Sequence, residues 1–307
     1  MTLLYKSDPQ RGQVWARIFA ERMPELRLRF WPDTGEAAQV RYLAAWEPPP
    51  DLSAFPNLEI VFGVGAGIDQ FDLSALPPGV RVVRMIEPGI REGMLEYVTA
   101  SVLALHRELP RYLRQQRERR WQPLPALPAA QRRIGVLGVG ELGAAVLRHL
   151  RGYGFDCAGW SRSQHTLEGI ACFAGRGGLD ALLARSDILI CLLPLTTATR
   201  GLLDGDLFAR LPRGAALVHV GRGAHLVAAD LLAALDAGQL SEAIVDVTEP
   251  EPLPPDDPLW RHPRLWLTPH IASATRAEGS ALAVLENLRR HHAGEPLLGE
   301  VEQSRGY

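Results

Sequence analysis

The chain has 307 residues, 47% of them hydrophobic and 22% charged, with a formal net charge of −2. At roughly 150 residues per domain this is material for about two domains, and the near-neutral balance argues against a dedicated nucleic-acid or membrane-surface binder. Lys6 is the only lysine among 33 basic residues; a GC-rich genome is the plain explanation, yet the skew excludes a P-loop phosphate site and leaves lysine chemistry only Lys6.

In the first hundred residues, short apolar runs alternate with helical spacing. Residues 3–5, 40–45, 60–62 and 80–83 predict buried strands. Residues 13–23 have helical spacing through Val14, Ile18 and Phe19. Such alternation predicts a parallel sheet with crossover helices. A long helix is expected over 94–121, with Arg107, Arg111, Arg114 and Arg117 along one face. That face is a solvated surface, a subunit interface or an anion contact.

Pro123, Pro125 and Pro128 break this helix and mark 122–131 as a linker. A second alternating block follows. Strands are expected at 134–137, 157–160, 188–193, 217–220, 244–247 and 265–267. Helices are expected at 179–185, 228–237 and 276–292, with Gly238 as a C-cap. Cys157, Cys172 and Cys191 form no CxxC pair and read as small core residues of a cytoplasmic protein. Residues 1–9 lack a signal-peptide pattern, and no apolar run reaches the ~18 residues of a membrane helix.

The most informative stretch is Gly138-Val139-Gly140-Glu141-Leu142-Gly143. It follows an apolar strand and opens an amphipathic helix carrying Leu142, Val146 and Leu150, the frame of a dinucleotide site. Gly138 permits the tight turn, Gly140 leaves room for a pyrophosphate at the helix N-terminus, and Gly143 allows close helix–strand packing. At the end of the next strand, where an acid would hold the ribose hydroxyls, the chain reads Trp160-Ser161-Arg162-Ser163. Serine and arginine there suit a 2′-phosphate, so NADP(H) is expected over NAD(H).

Three more segments end strands with polar groups: Val220-Gly221-Arg222-Gly223, Asp246-Val247-Thr248-Glu249-Pro250-Glu251-Pro252 and Leu267-Thr268-Pro269-His270. In a doubly wound sheet these ends line one crevice. An arginine, an acid and a histidine there suit reduction of a 2-oxo acid. That reaction needs a cation for the carboxylate and a proton for the carbonyl oxygen.

In this order the motifs resemble those of the NAD(P)-dependent D-2-hydroxyacid dehydrogenases, over nearly the whole chain. The likeness is greatest to the glyoxylate/hydroxypyruvate reductase A branch. It is carried there by Trp121-Gln122-Pro123-Leu124-Pro125, Trp160-Ser161-Arg162, Glu251-Pro252-Leu253-Pro254-Pro255, Pro258-Leu259-Trp260 and Arg305-Gly306-Tyr307.

The resemblance implies an α/β fold of two Rossmann-like doubly wound parallel-sheet domains with the active site in a cleft between them. Residues 1–98 with 276–307 would form a flavodoxin-like substrate domain, and 99–275 the NADP-binding domain. It implies His270 as general acid, Glu251 as the partner favouring its protonated form, and Arg222 as the holder of the substrate carboxylate and carbonyl. Counting from Asp246, the family acid falls at Glu251, leaving Glu249 exposed. Asp246 would lie near the nicotinamide, with Leu193, Pro194, Leu195, Thr199, Val220 and Gly221 along the cofactor. Gly65, Ala66 and Gly67 would receive the substrate carboxylate. Trp46 would restrict the pocket to small acids, unless it is a core tryptophan. Arg84 and residues 94–97 are further candidates for the cleft.

The expected reaction is NADPH-dependent reduction of glyoxylate or hydroxypyruvate by a homodimer with no metal. The alternatives are another D-2-hydroxyacid substrate or a non-catalytic NADP(H)-sensing protein. His219, His225, His262, His291 and His292 have no motif and are expected to be structural or surface residues.

Overall fold

The protein, seen as a computed structural model, is described over residues 1–301. Residues Arg305, Gly306 and Tyr307, part of the resemblance, lie outside the described residues. The chain divides into two units, Met1–Ile90 with the stretch from Ala274 onward, and Arg91–Ser273.

In the first unit, β1 (Thr2–Lys6), α1 (Pro9–Arg22), β2 (Arg27–Phe30), β3 (Val40–Ala45), β4 (Ile60–Gly63) and β5 (Arg81–Val83) follow in order. Among the described residues the strands form one all-parallel sheet of order β2-β1-β3-β4-β5, the flavodoxin-like winding. One face packs Leu4, Leu43, Val61 and Val82 onto Leu52, Phe55, Leu58 and Phe71. On α1 the buried positions are Gly12, Trp15 and Phe19, while Val14 and Ile18 are only half-buried. The Trp15 indole donates to Ser280 Oγ at 3.0 Å, joining α1 to the C-terminal helix of the same unit.

The second unit begins within α2 (Pro88–His106), followed by α3 (Leu109–Arg117), β6 (Arg133–Leu137), α4 (Glu141–Gly152), β7 (Asp156–Ser161), β8 (Ala171–Ala174), α5 (Gly175–Arg185) and β9 (Ile188–Cys191). Then come α6 (Gly205–Ala209), β10 (Ala215–His219), α7 (Ala228–Asp236), β11 (Leu240–Val245) and β12 (Leu265–Leu267). The chain returns to the first unit for α8 (Ala277–Ala293). The second sheet is parallel throughout, ordered β12-β11-β10-β9-β6-β7-β8. Its strand order reverses between β6 and β9, the switch point at which doubly wound sheets bind ligands.

Both faces of this sheet are covered, which is why its strands read as unbroken apolar runs. Leu137, Leu189, Cys191, Leu217 and Val245 face α5, α6 and α7 through Leu182, Phe208 and Leu231. Ile134, Val136, Ile190 and Val218 face α2 and α4 through Val98, Val102, Val146 and Leu147. Each such burial stabilises the unit by about 1.5–3 kcal/mol relative to an exposed side chain. Among the described residues no helix is long and apolar enough to cross a membrane.

Three expectations need correction. The helix over 94–121 is two helices: Pro110 has no N–H to give His106, so α2 stops there. Glu108 turns into the left-handed region (φ 58), and α3 restarts with Pro110 in its first turn. Arg107 therefore leaves the proposed arginine face, and Arg114 is engaged with the buried Glu242 and the Pro263 carbonyl. The expected domain division at 98/99 lies inside α2, whose Met94, Val98 and Val102 pack on the second sheet; the units divide instead at Ile90 and Ser273. Finally, β2, β8 and α6 lie where no element is expected.

Candidate active site

At the switch point the turn after β6 uses its glycines for space. Gly138 has φ 102, and a Cβ on it would come within 2.8 Å of the Leu192 carbonyl. A side chain at Gly143 would collide with the Gly138 carbonyl, so helix α4 can approach only because residue 143 has none. Around Gly140 nothing among the described residues lies within 4 Å of such a Cβ, so the backbone at the start of α4 borders open space. Glu141 and Leu142 begin that helix, and its N-terminal N–H groups and dipole favour an anion. The cradle fits a dinucleotide pyrophosphate.

At the end of β7, the Ser161 hydroxyl donates to the Ser163 carbonyl at 2.7 Å, closing a tight turn that leaves Arg162 on the surface. No acid stands in this turn. After β9, the Leu193-Pro194-Leu195-Thr196 segment is pinned by Thr199: its Oγ donates to the Pro194 carbonyl at 2.8 Å and accepts the Thr196 N–H at 2.8 Å.

After β10, Val220 and Gly221 are buried and bring the chain to Arg222. The neighbouring glycines have definite jobs. A Cβ on Gly221 would stand 3.0 Å from His225 Nδ1, and one on Gly223 would run into the Thr248–Glu249 backbone. The Gly-Arg-Gly sequence thus lets the acidic segment and a histidine ring close on the arginine's turn. The Arg222 guanidinium donates to the Gly221 carbonyl at 2.8 Å.

The acidic segment and the histidine meet directly. His270 Nδ1 lies 2.8 Å from Glu251 Oε2, while Glu251 Oε1 accepts the Thr248 N–H at 3.0 Å. Glu249 is elsewhere, paired with Arg200 at 3.2 Å on the surface. The carboxylate acceptor places a proton on His270 Nδ1. The His270 and Glu251 side chains are 32% and 38% exposed, open enough to meet a ligand.

His270 has φ 56, an uncommon conformation for a residue with a Cβ. Asp246 enforces it. This buried aspartate accepts from Thr268 Oγ at 2.6 Å and from the Ile271 and Ala272 N–H groups, each at 2.8 Å. Its own carbonyl accepts the His270 N–H, also at 2.8 Å. Tyr97 extends the chain of bonds, with its hydroxyl 2.5 Å from Thr268 Oγ. Asp246 therefore builds the turn that presents His270. The family resemblance implies a place for Asp246 near the nicotinamide and carries no sign of this role in the turn. Of residues 94–97, Met94 is core and Tyr97 is part of this support.

In the first unit, Trp46 is 42% exposed, so it is not a core tryptophan. Its ring edge stands 2.8 Å from where a Cβ on Gly65 would be, so the indole lies against the loop at 64–69. Gly65 is buried; Ala66 and Gly67 are half-buried. Arg84 donates its backbone N–H to the Gly299 carbonyl.

Two histidines expected to be bland lie against Arg222. His219 and His225 are fully buried, and each bonds to the arginine's backbone. The signal was present as the spacing His219-x-x-Arg222-x-x-His225. Burial pushes the Cys157 and Cys191 thiols up to about 12, so neither is a ready nucleophile.

The family profile of the D-isomer specific 2-hydroxyacid dehydrogenase NAD-binding domain matches residues 99–272. Among solved structures, a D-isomer specific 2-hydroxyacid dehydrogenase from Xanthobacter autotrophicus Py2, in complex with NADPH and MES, is 40% identical. It has a TM-score of 0.94, over 100% of this chain and 99% of that one. The NADPH-dependent glyoxylate/hydroxypyruvate reductase of Sinorhizobium meliloti, solved with NADP and sulfate, is 32% identical with a TM-score of 0.92, over 100% and 99%. A probable 2-hydroxyacid dehydrogenase from Rhizobium etli CFN 42, with NADP, HEPES and L(+)-tartaric acid, matches with the same identity, TM-score and coverage. With the dinucleotide cradle and the His270–Glu251 pair in place, this chain belongs to the D-isomer-specific 2-hydroxyacid dehydrogenases, oxidoreductases that act on 2-hydroxyacids with a nicotinamide cofactor.

Proposed function

We propose that the protein reduces small 2-oxo acids with NADPH, turning glyoxylate into glycolate and hydroxypyruvate into D-glycerate. The observation that carries this reading is the His270–Glu251 pair at 2.8 Å, in the same unit as a dinucleotide cradle and Arg222. The relatives from S. meliloti, X. autotrophicus and R. etli, all holding NADPH or NADP, support both the cofactor and the substrate class.

Gly138, Gly140 and Gly143 would cradle the pyrophosphate, with Glu141 and Leu142 opening the helix beneath it. Ser161, Arg162 and Ser163 would take the 2′-phosphate. Leu193, Pro194, Leu195, Thr199, Val220, Gly221 and the Asp246 turn would border the nicotinamide half. The bound cofactor supplies the hydride. Arg222 grips the substrate carboxylate and carbonyl with paired N–H donors. His270 Nε2 gives its proton to the carbonyl oxygen, and the ring regains one from water after product leaves. Glu251 holds the ring in orientation and offsets its positive charge. In the first unit, Gly65, Ala66 and Gly67 would meet the carboxylate, and Trp46 over that loop would limit it to small acids. We also propose a homodimer; the three free thiols support a reducing, cytoplasmic setting.

The test is NADPH oxidation across a panel of 2-oxo acids, with NADH as control. Turnover greatest for glyoxylate and hydroxypyruvate supports the reading. Equal or better turnover of bulky 2-oxo acids, or preference for NADH, overturns it.

A further inference from the structure

The two histidines beside Arg222 make complementary bonds to one residue. Arg222 donates its backbone N–H to His225 Nδ1 at 3.1 Å. His219 Nε2 lies 2.9 Å from the Arg222 carbonyl. Because His225 Nδ1 accepts, the ring proton is on Nε2, which faces the Pro194 carbonyl at 3.2 Å. Because a carbonyl can only accept, His219 carries its proton on Nε2 as well. Its Nδ1 is buried and has no hydrogen-bond partner among the described residues. Pro194 O thus takes two donors, His225 and Thr199 Oγ, in the segment after β9.

The donors of Cys191, His219 and His225 all lie within 4.8 Å of one another, which raises the question of a metal ion. A ligand set needs a free lone pair on each residue. His225 has given one nitrogen to the Arg222 N–H and holds a proton on the other. The Cys191 thiol is fully buried, and that burial disfavours the thiolate a metal would need. The donor set is committed to holding backbone, not to an ion.

We propose that His219 and His225 are positioning residues: together they clamp both backbone groups of Arg222, and His225 ties that clamp to the Pro194 carbonyl. The inference rests on the reading of Arg222 as the substrate-carboxylate ligand and of 193–196 as the cofactor-side segment. A neutral His225 connects the two, so each of its nitrogens governs a different ligand. Gly221 is buried beneath the ring, where a Cβ would stand 3.0 Å from His225 Nδ1 and 3.3 Å from the Leu193 carbonyl, a tight fit that suits a spacing set by this contact.

Two substitutions separate the ring nitrogens. His225→Asn keeps an acceptor near the Nδ1 position and loses the reach to Pro194. His225→Gln keeps a donor near the Nε2 position and loses the Arg222 acceptor. Steady-state kinetics should show His225→Gln raising the glyoxylate KM about five- to tenfold, with the NADPH KM little moved. His225→Asn should do the reverse. Both variants raising both constants in parallel, or neither moving either, overturns the clamp. Nitrogen-15 spectra of the unaltered protein give a second readout that does not depend on activity or on a variant folding. Both rings should show the Nε2–H tautomer; a ring that carries its proton on Nδ1 overturns the proposal. Arg222→Lys distinguishes the two levels. If it leaves the glyoxylate KM unchanged, the carboxylate assignment fails, while the tautomers still report whether the clamp exists.

Discussion

Glu251 holds His270 with one carboxylate oxygen, at 2.8 Å from Nδ1, and its own loop with the other, at 3.0 Å from the Thr248 N–H. The acid is thus fixed by its backbone before it fixes the ring. Glu251→Gln removes the charge that supports the imidazolium and should lower kcat at least about tenfold. Glu249→Gln touches only the exposed pair with Arg200 and should stay within about twofold. Parallel kcat measurements on the two variants check this, and a larger loss at residue 249 would reverse the assignment.

Cofactor choice should turn on the turn after β7. Ser161→Asp with Arg162→Ala places a carboxylate where a 2′-phosphate would sit and removes the cation. The ratio of kcat/KM for NADPH over NADH should fall about ten- to a hundredfold. An unchanged ratio would place phosphate recognition elsewhere.

A third expectation concerns acid stability. Asp187, just before β9, accepts the Arg133 N–H at 2.9 Å and the guanidinium at 2.6 Å. Burial opposes its ionisation, but the Arg133 hydrogen bonds and charge outweigh it and hold the carboxyl below its ordinary range. A lowered carboxylate contributes stability above the unfolded value near ~3.9, and that contribution is lost as pH falls through the folded value. Asp187→Asn should therefore cost about 1–3 kcal/mol at neutral pH. The gap to the unaltered protein should shrink below about pH 4 in denaturant titrations.

His219 gives the opposite kind of group, a base kept neutral. Complete burial pushes it down to about 3, helped by His225. The unfolded chain takes up a proton near ~6.5 that the folded chain refuses, so stability is present above that pH and falls below it, by up to ~1.4 kcal/mol per unit. Unfolding free energies of the unaltered protein and His219→Asn should converge as pH drops from about 6.5 to about 4.5. Parallel curves would show that His219 takes no part in the acid response.

Much of this was legible in the residues. The inner strands β1, β3, β4, β6, β9 and β10 are buried on both sides and announce themselves as apolar runs. The strands β2 and β8 sit at sheet edges, where half-exposed residues such as Arg29 and Phe173 blur the pattern. The break at Glu108 followed from Pro110, whose missing N–H outweighs the helical spacing of the arginines around it. The glycine turn and the order Arg222, Glu251, His270 were visible because each motif is local. The support behind them was not: Tyr97 reaches Thr268, and Asp246 reaches Ile271 and Ala272, across sequence separations that no spacing rule encodes.

The most direct test is glyoxylate-dependent NADPH oxidation by the unaltered protein and by His270→Ala, with NADPH affinity measured by fluorescence in both. His270→Ala should bind NADPH as before and turn over about a hundred- to ten-thousandfold more slowly. Turnover near that of the unaltered protein would contradict the assignment of His270 as general acid.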